Sequence, residues 1–99
     1  MINSKQRALL RGLAAGEDTI IIVGKGGITS SLIDSVSDAL AARELVKGKV
    51  LESSMLTARE ACDALCAACG ADGVQAIGNK FVLFKRNDKH PRIDIKVRK

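Results

Sequence analysis

Three stretches of the chain repeat apolar residues three and four positions apart, which is the spacing of an amphipathic α-helix. They cover residues 5–15, about 30–43 and 57–69. We expect Ser4 to cap the start of the first helix and Gly16 to cap its end, since a hydroxyl and a glycine suit these positions. The third helix should begin with a capping box, in which Thr57 and Glu60 bond each other's backbone amides, and should stop at Gly70.

Four shorter apolar runs predict β-strands at residues 19–23, 44–51, 74–77 and 81–84. The first run is apolar on both faces, which is typical of an interior strand covered by helices. In the second run Lys47 and Lys49 alternate with apolar residues and glycine, so that one side of the strand is rich in lysine. Gly78-Asn79 separates the last two runs and predicts a hairpin. The resulting order, α-β-α-β-α-β-β, implies a mixed sheet with parallel neighbours and an antiparallel final pair.

The totals are those of one small basic domain. The 99 residues suffice for a single core, and 46% hydrophobic with 27% charged residues is typical of a folded globular chain. A net charge of +5 and a pI near 9.4 favour a polyanionic partner such as nucleic acid or an anionic membrane. We expect no transmembrane helix, no secretory signal and no disulfide framework. A reducing cytoplasm is the expected compartment.

The most distinctive stretch is Gly24-Lys25-Gly26-Gly27, called the glycine loop below, between the first strand and the second helix. Its glycines allow positive φ angles and a close approach of the backbone to a large ligand. The helix start behind it offers free amides and the positive end of the helix dipole, which suit an anion. We therefore expect the loop to hold phosphates, with Lys25 adding a charge contact.

Two nucleotide-binding motifs fit the glycine loop poorly. The dinucleotide pattern Gly-x-Gly-x-x-Gly would need a third glycine where Thr29 stands, although Glu44 lies where a ribose-binding acid is expected. The chain is also too short for a dinucleotide domain plus a catalytic one. A Walker A loop would need glycine in place of Ile20 and Ser or Thr in place of Gly26. A Gly-x-x-Gly clamp on a nucleic-acid backbone, as in KH modules, and a plain tight turn both remain open.

The cysteines Cys62, Cys66 and Cys69 have the spacing of the iron–sulfur loop of radical S-adenosylmethionine enzymes. They also fall on one face of the predicted third helix, where cysteine packs as a small hydrophobe, and such an enzyme needs a much larger barrel. We expect core packing, with no metal and no cofactor. The single histidine, His90, has no partners for a catalytic dyad or a zinc site, so no enzymatic activity is expected.

The two aromatic residues argue against base stacking. Phe81 and Phe84 lie three positions apart on a strand, so they face opposite ways, and at least one belongs in the core. The basic residues outside the glycine loop are Lys5, Arg7 and Arg11 on the first helix, Lys47 and Lys49 on the second strand, and Lys85, Arg86, Lys89, Arg92, Lys96, Arg98 and Lys99 in the tail. The first-helix residues join Lys25 in one patch only if that helix packs close to the glycine loop.

Taken together, these segments resemble the bacterial single-domain CRM (chloroplast RNA splicing and ribosome maturation) proteins of the YhbY type. The resemblance rests on residues 4–7 and 9–13, Val23-Gly24-Lys25-Gly26-Gly27-Ile28-Thr29, Glu44-Leu45-Val46-Lys47, residues 74–78 and residues 81–84. It implies an α/β two-layer fold with a four-stranded mixed sheet of order 1-2-4-3, similar to the C-terminal domain of translation initiation factor three. The last strand is expected to insert antiparallel between the second and third.

The resemblance also implies two segments. Residues 1–86 are expected to form a CRM-type RNA-binding domain, and residues 87–99 a basic C-terminal tail. Within the tail Ile93, Ile95 and Val97 alternate, as they would in a short edge strand.

The expected function is RNA binding without catalysis, by a cytoplasmic monomer that contacts ribosomal RNA during large-subunit assembly and does not bind membranes. The expected contacts are Gly24, Lys25, Gly26, Gly27, Lys5, Arg7 and Arg11, with amides of Gly26, Gly27 and the first turn of the second helix on phosphate oxygens. The alternative is a protein-interaction module that docks on a ribosomal protein or an assembly factor, which predicts an exposed apolar patch and weak salt dependence.

Overall fold

A computed structural model describes residues 2–86 of the chain. Its elements are α1 (Ser4–Ala14), β1 (Thr19–Val23), α2 (Ser30–Arg43), β2 (Leu45–Val50), a 3₁₀ turn (Glu52–Ser54), α3 (Ala58–Cys69), β3 (Asp72–Ile77) and β4 (Lys80–Phe84). The predicted order of helices and strands is therefore confirmed. Within this range no helix has the length and apolar character needed to cross a membrane. The edge strand predicted around Ile95 lies outside the described residues.

The four strands form one mixed sheet in the order β1-β2-β4-β3. β1 pairs with β2 in parallel, and Val23 lies opposite Val50 near one end of the sheet. β4 is antiparallel to both of its neighbours, so the expected insertion of the last strand between β2 and β3 is confirmed. This order puts β1 and β3 at the two edges.

The two faces of the sheet are covered unequally. Helices α2 and α3 pack on one face, called the closed face, where the buried core includes Ile21, Val23, Val36, Leu40, Val46, Val50, Leu65, Phe81 and Leu83. Helix α1 packs on the other face, called the open face, over a smaller cluster of Ile2, Leu10, Ala14, Leu45, Val74, Val82 and Phe84. Phe81 and Phe84 thus enter different clusters, as predicted, and both are buried.

The prediction that β1 is an interior strand covered on both faces is wrong. Ile21 and Val23 are buried on the closed face, but Ile20 and Ile22 on the open face are 37% and 52% exposed. The reason is the position of α1, which packs against β2, β3 and β4. An edge strand beyond the reach of this helix keeps one of its apolar faces in solvent.

Both predicted caps of α1 are also wrong by one residue. Asn3, not Ser4, is the N-cap: its side chain accepts a hydrogen bond from the Gln6 amide at 2.8 Å, and the Gln6 side chain accepts one from the Asn3 amide at 2.9 Å. Asn is as good an N-cap as Ser, and Gln6 completes a capping box that only Asn3 can reach. At the other end Ala15 is the C-cap, in right-handed conformation, so Gly16 is not needed there.

Helix α3 has the predicted ends. Thr57 and Glu60 form the capping box, with bonds of 2.9 and 3.0 Å. Gly70 ends the helix at φ 68°, in the left-handed region that favours glycine. The face between these caps carries the three cysteines, of which Cys62 and Cys69 are buried and Cys66 half-buried in the closed-face core, which confirms core packing.

Candidate nucleic-acid interface

The glycine loop folds as a hydrogen-bonded tight turn. The Gly27 amide donates to the Gly24 carbonyl at 2.9 Å, which places Lys25 and Gly26 at the two corners of the turn. Both corner residues are exposed. Gly27 has φ 67°, where any other residue would be strained, and a side chain there would meet no steric obstacle. Glycine is therefore required at Gly27 by the backbone angle and not by lack of space.

This turn changes the set of amides that are available to a phosphate. The Gly27 amide is already bonded, so the expectation that it contacts phosphate is corrected: Gly27 shapes the loop. Among the described residues, the amides of Lys25 and Gly26 have no hydrogen-bond acceptor. The loop thus presents two free donors beside the ammonium group of Lys25.

The start of α2 adds further donors next to the loop. Thr29 is the N-cap, with its hydroxyl accepting from the Leu32 amide at 3.1 Å and its carbonyl from the Ile33 amide at 3.0 Å. Ser30 and Ser31 are the first two residues of the helix, whose amides have no acceptor within a helix. They are exposed. The positive end of the helix dipole therefore opens beside the glycine loop.

The first-helix basic residues lie elsewhere. Arg7 donates from Nε to the Gly73 carbonyl at 3.3 Å, which places it at the β3 edge of the sheet, level with Leu83. The glycine loop follows Val23 at the β1 edge and at the other end of the sheet. Three strand spacings across and four residues along separate the two by roughly 20 Å. Arg7 and Lys25 therefore occupy opposite corners.

Arg11 lies over the open face, whereas Lys5 lies on the first turn of α1. Arg11 is exposed and lines a cleft of about 520 Å³ between α1 and the open face, together with Lys47, Gln75 and Val82. Lys5 is exposed near the start of α1. Helix α1 does not pack close to the glycine loop, so its basic residues do not form one patch with Lys25 on their own.

Three lysines that were not among the expected RNA contacts lie between the glycine loop and α1. Lys47 and Lys49 on β2 and Lys80 on β4 have their side chains on the open face, because Gly48 and Phe81 between them face the closed side. We call these three residues the sheet lysines. The alternation of lysine with apolar residues in β2 was visible in the sequence, but only the pairing with β4 brings Lys80 beside Lys49.

A second cavity, of about 550 Å³, lies at the β3 edge and is lined by Arg7, Arg59, Asp63, Cys62 and Cys66 among others. Arg59 and Asp63 form an ion pair at 3.4 Å across one turn of α3. A hydrogen bond from Cys66 lowers the pKa of Cys62, while the same bond and burial raise the pKa of Cys66. Residues 2–86 contain no group of three His, Cys, Asp or Glu side chains that could hold a metal ion.

Comparisons with known proteins agree on one family. The sequence profile of the CRS1/YhbY (CRM) domain matches residues 2–85. The "Probable RNA-binding protein YqeI" of Bacillus subtilis is 35% identical over 95 residues, covering 96% of this chain and 99% of that protein. An "RNA-binding protein" of Haemophilus influenzae is 28% identical over 88 residues, covering 89% of each.

A solved structure shows the same fold. The solution structure of the hypothetical protein SAV1595 from Staphylococcus aureus superposes with a TM-score of 0.72 at 31% identity, covering 95% of this chain and all of that one. The relatives carry names of RNA-binding proteins and not of enzymes. This chain belongs to the CRS1/YhbY (CRM) domain family.

Proposed function

We propose that this protein binds RNA and grips its backbone through the glycine loop. The observation that carries the proposal is the geometry of the turn, in which the Gly27-to-Gly24 bond leaves Lys25 and Gly26 exposed beside the start of α2. The names of the relatives support RNA as the partner.

The binding chemistry follows from the free donors. The amides of Lys25 and Gly26, and those of Ser30 and Ser31, donate to phosphate oxygens, and the Lys25 ammonium adds a charged contact. Such contacts position RNA without reading its sequence. With both aromatic residues buried, specificity comes from the shape of the RNA.

The proposal extends to the cellular role of the protein. We place the protein in the cytoplasm as a non-enzymatic monomer that binds ribosomal RNA in precursors of the large subunit. Residues 1–86 form the binding domain, and the basic tail of residues 87–99 adds charge. Family membership and the basic composition of the chain support this cellular role.

Substitutions at the loop test the proposal. Lys25→Ala removes an exposed charge, and Gly26→Asp adds a carboxylate in the turn, where its Cβ would lie 3.3 Å from the Thr29 Cγ2 atom. Arg43→Ala is the matched control, since it removes one exposed charge at the far end of α2. The probe is a hairpin RNA with a single-stranded extension, titrated at fixed ionic strength with folding checked by circular dichroism.

We expect Lys25→Ala to weaken binding roughly tenfold, or about 1.4 kcal/mol, Gly26→Asp to weaken it more, and the control to bind like the wild type. Affinity should also fall steeply with salt, because phosphate contacts release counterions. Folded loop variants that bind as tightly as the wild type would end the clamp proposal.

The protein-interaction alternative has one observation in its favour. Ile20, Ile22 and Ile77 are exposed on the open face, with Ile77 at 65%. Lys49 and Lys80 lie between Ile22 and Ile77 in the strand register, so the apolar residues border a basic strip and do not join into one apolar patch. A protein partner would give binding that changes little with salt, which the same titration measures.

A further inference from the structure

We infer that the part of the open face left uncovered by α1 is a second RNA-backbone site, which continues the track from the glycine loop across the sheet to Arg11. The inference rests on the proposed function, since it takes RNA as the partner, but it assigns a surface that the glycine loop does not include. The sheet lysines are its phosphate contacts.

The strand register places the sheet lysines between the glycine loop and α1. Lys49 lies opposite Ile22 of β1 and, on its other side, opposite Lys80 of β4. Lys49 is therefore about 5 Å and Lys80 about 10 Å from the strand that leads into the glycine loop. Lys47 lies two residues before Lys49 in β2, on the same face, and shares the cleft with Arg11. The positive charges form a path from one corner of the open face to α1.

Two of the sheet lysines form an unfavourable pair of like charges. Lys49 and Lys80 are directly opposite each other on antiparallel strands, and like charges in that position repel. Within the described part of the chain none of the sheet lysines has a carboxylate partner. A bound phosphate between the two ammonium groups would remove the repulsion.

Acidic residues are scarce in the strands of the sheet. In the four strands Asp72 is the single carboxylate, and it lies opposite Phe84 at the end of the sheet away from the glycine loop. The exposed carboxylates of the helices, Asp34, Asp38, Glu60 and Asp63, belong to α2 and α3, which pack on the closed face. The other exposed carboxylates lie outside the strands: Glu17 and Asp18 precede β1, and Glu52 follows β2. The part of the open face that carries the sheet lysines therefore favours a polyanion.

The chemistry of the surface identifies the ligand as backbone and not as bases. Lysine acts as a mobile point charge that suits phosphate. Next to Lys47 and Lys80 a shallow cleft of about 190 Å³ is lined by Gln75, Ile77 and Val82, with no aromatic side chain. The site therefore holds phosphates through charge and without base stacking.

The test compares two double variants with equal loss of charge. Lys49→Thr with Lys80→Thr removes the facing pair and keeps strong β-formers in the strands. Arg43→Ala with Arg59→Ala removes two exposed charges from α2 and α3. Lys49→Arg with Lys80→Arg keeps the charges and serves as the rescue. Each protein is titrated with the hairpin RNA over a range of salt concentrations, and its thermal melting is recorded.

We expect the threonine variant to melt no lower than the wild type and to bind about tenfold more weakly, with a salt slope shallower by about 1.4 to 1.8 for two lost phosphate contacts. The helix variant and the arginine variant should bind like the wild type. Equal weakening in the threonine and helix variants, or none in the threonine variant, would overturn the inference. The proposed function fails separately, if the wild type binds no RNA; if Lys25→Ala binds normally while the threonine variant does not, the loop fails and the sheet site stands.

Discussion

The closed and open faces of the sheet are made by the same strands and differ in almost every other respect. On the closed face Val46, Val50 and Phe81 are sealed under α2 and α3. On the open face the intervening positions of β2 and β4 are lysines wherever α1 does not cover them. Because side chains alternate along a strand, one strand can supply core on one side and a binding surface on the other. Substitutions on the closed face should therefore change mainly stability, and substitutions on the open face mainly RNA binding.

The largest expected effect is on the closed face. Phe81→Ala removes a fully buried ring from the centre of the core and should lower the free energy of unfolding by about 3 to 5 kcal/mol. Urea unfolding followed by circular dichroism measures the change. Ile22→Ala, on the exposed side of β1, is the control and should cost no more than about 0.5 kcal/mol. Similar losses in both variants would show that the faces do not differ in stability.

A smaller loss is expected where a strand lacks a side chain. A Cβ on Gly48 would overlap the Phe81 ring, which lies across the strand pair on the closed face. Gly48→Ala should therefore destabilise the protein by about 1 to 3 kcal/mol through overpacking. The double variant Gly48→Ala with Phe81→Leu should lose less than the sum of its two single changes, because the smaller side chain leaves room for the methyl group. Additive losses would contradict the steric explanation.

The glycine loop gives the next effect. Gly27→Ala forces a residue with a side chain to φ 67° and should cost about 1 to 2 kcal/mol in unfolding free energy. Gly27→Asn should cost less, since asparagine tolerates this region better. Thermal melting of the two variants compares them directly. An alanine variant as stable as the wild type would mean that the loop does not need its positive φ angle.

The smallest effect should have the opposite sign. Lys80→Thr relieves the repulsion with Lys49 and should raise stability by about 0.2 to 1 kcal/mol at low salt, with the gain shrinking as salt screens the pair. Lys85→Thr cannot serve as a control, since the Lys85 Nζ atom donates to the Cys69 carbonyl at 2.9 Å; Lys5→Thr on α1 is used instead. A loss of stability in Lys80→Thr would show that the facing lysines are not strained.

Local features were predicted from the sequence better than long-range placement, although each cap of α1 was misplaced by one residue. The capping box at Thr57 and the left-handed Gly70 follow from a few neighbouring residues. The exposure of Ile22 depends on where α1 docks. The sequence of β1, which is apolar on both faces, does not show that position. The strand order came from the family resemblance, because a hairpin can equally add its last strand at an edge.

The candidate site divides in the same way. The glycines in the sequence predicted the turn. They did not reveal whether the Gly27 amide is free or hydrogen-bonded, since glycine fits both cases, and only the structure shows that it donates to Gly24. Arg7 lay in a basic stretch of sequence and is hydrogen-bonded at the far edge of the sheet. Lys80 became a candidate contact only because it pairs with Lys49, and the two residues are more than thirty positions apart in the chain.

The central claim is that RNA binds to the glycine loop and the open face and leaves the closed side of the molecule free. Titration of isotope-labelled protein with the hairpin RNA, followed through its backbone amide resonances, tests this most directly. We expect shifts at Lys25, Gly26 and Ser30 and along β2 and β4 at Lys49 and Lys80, with α2 and α3 unchanged beyond the first turn of α2. Shifts concentrated on the outer surfaces of α2 and α3 would contradict it.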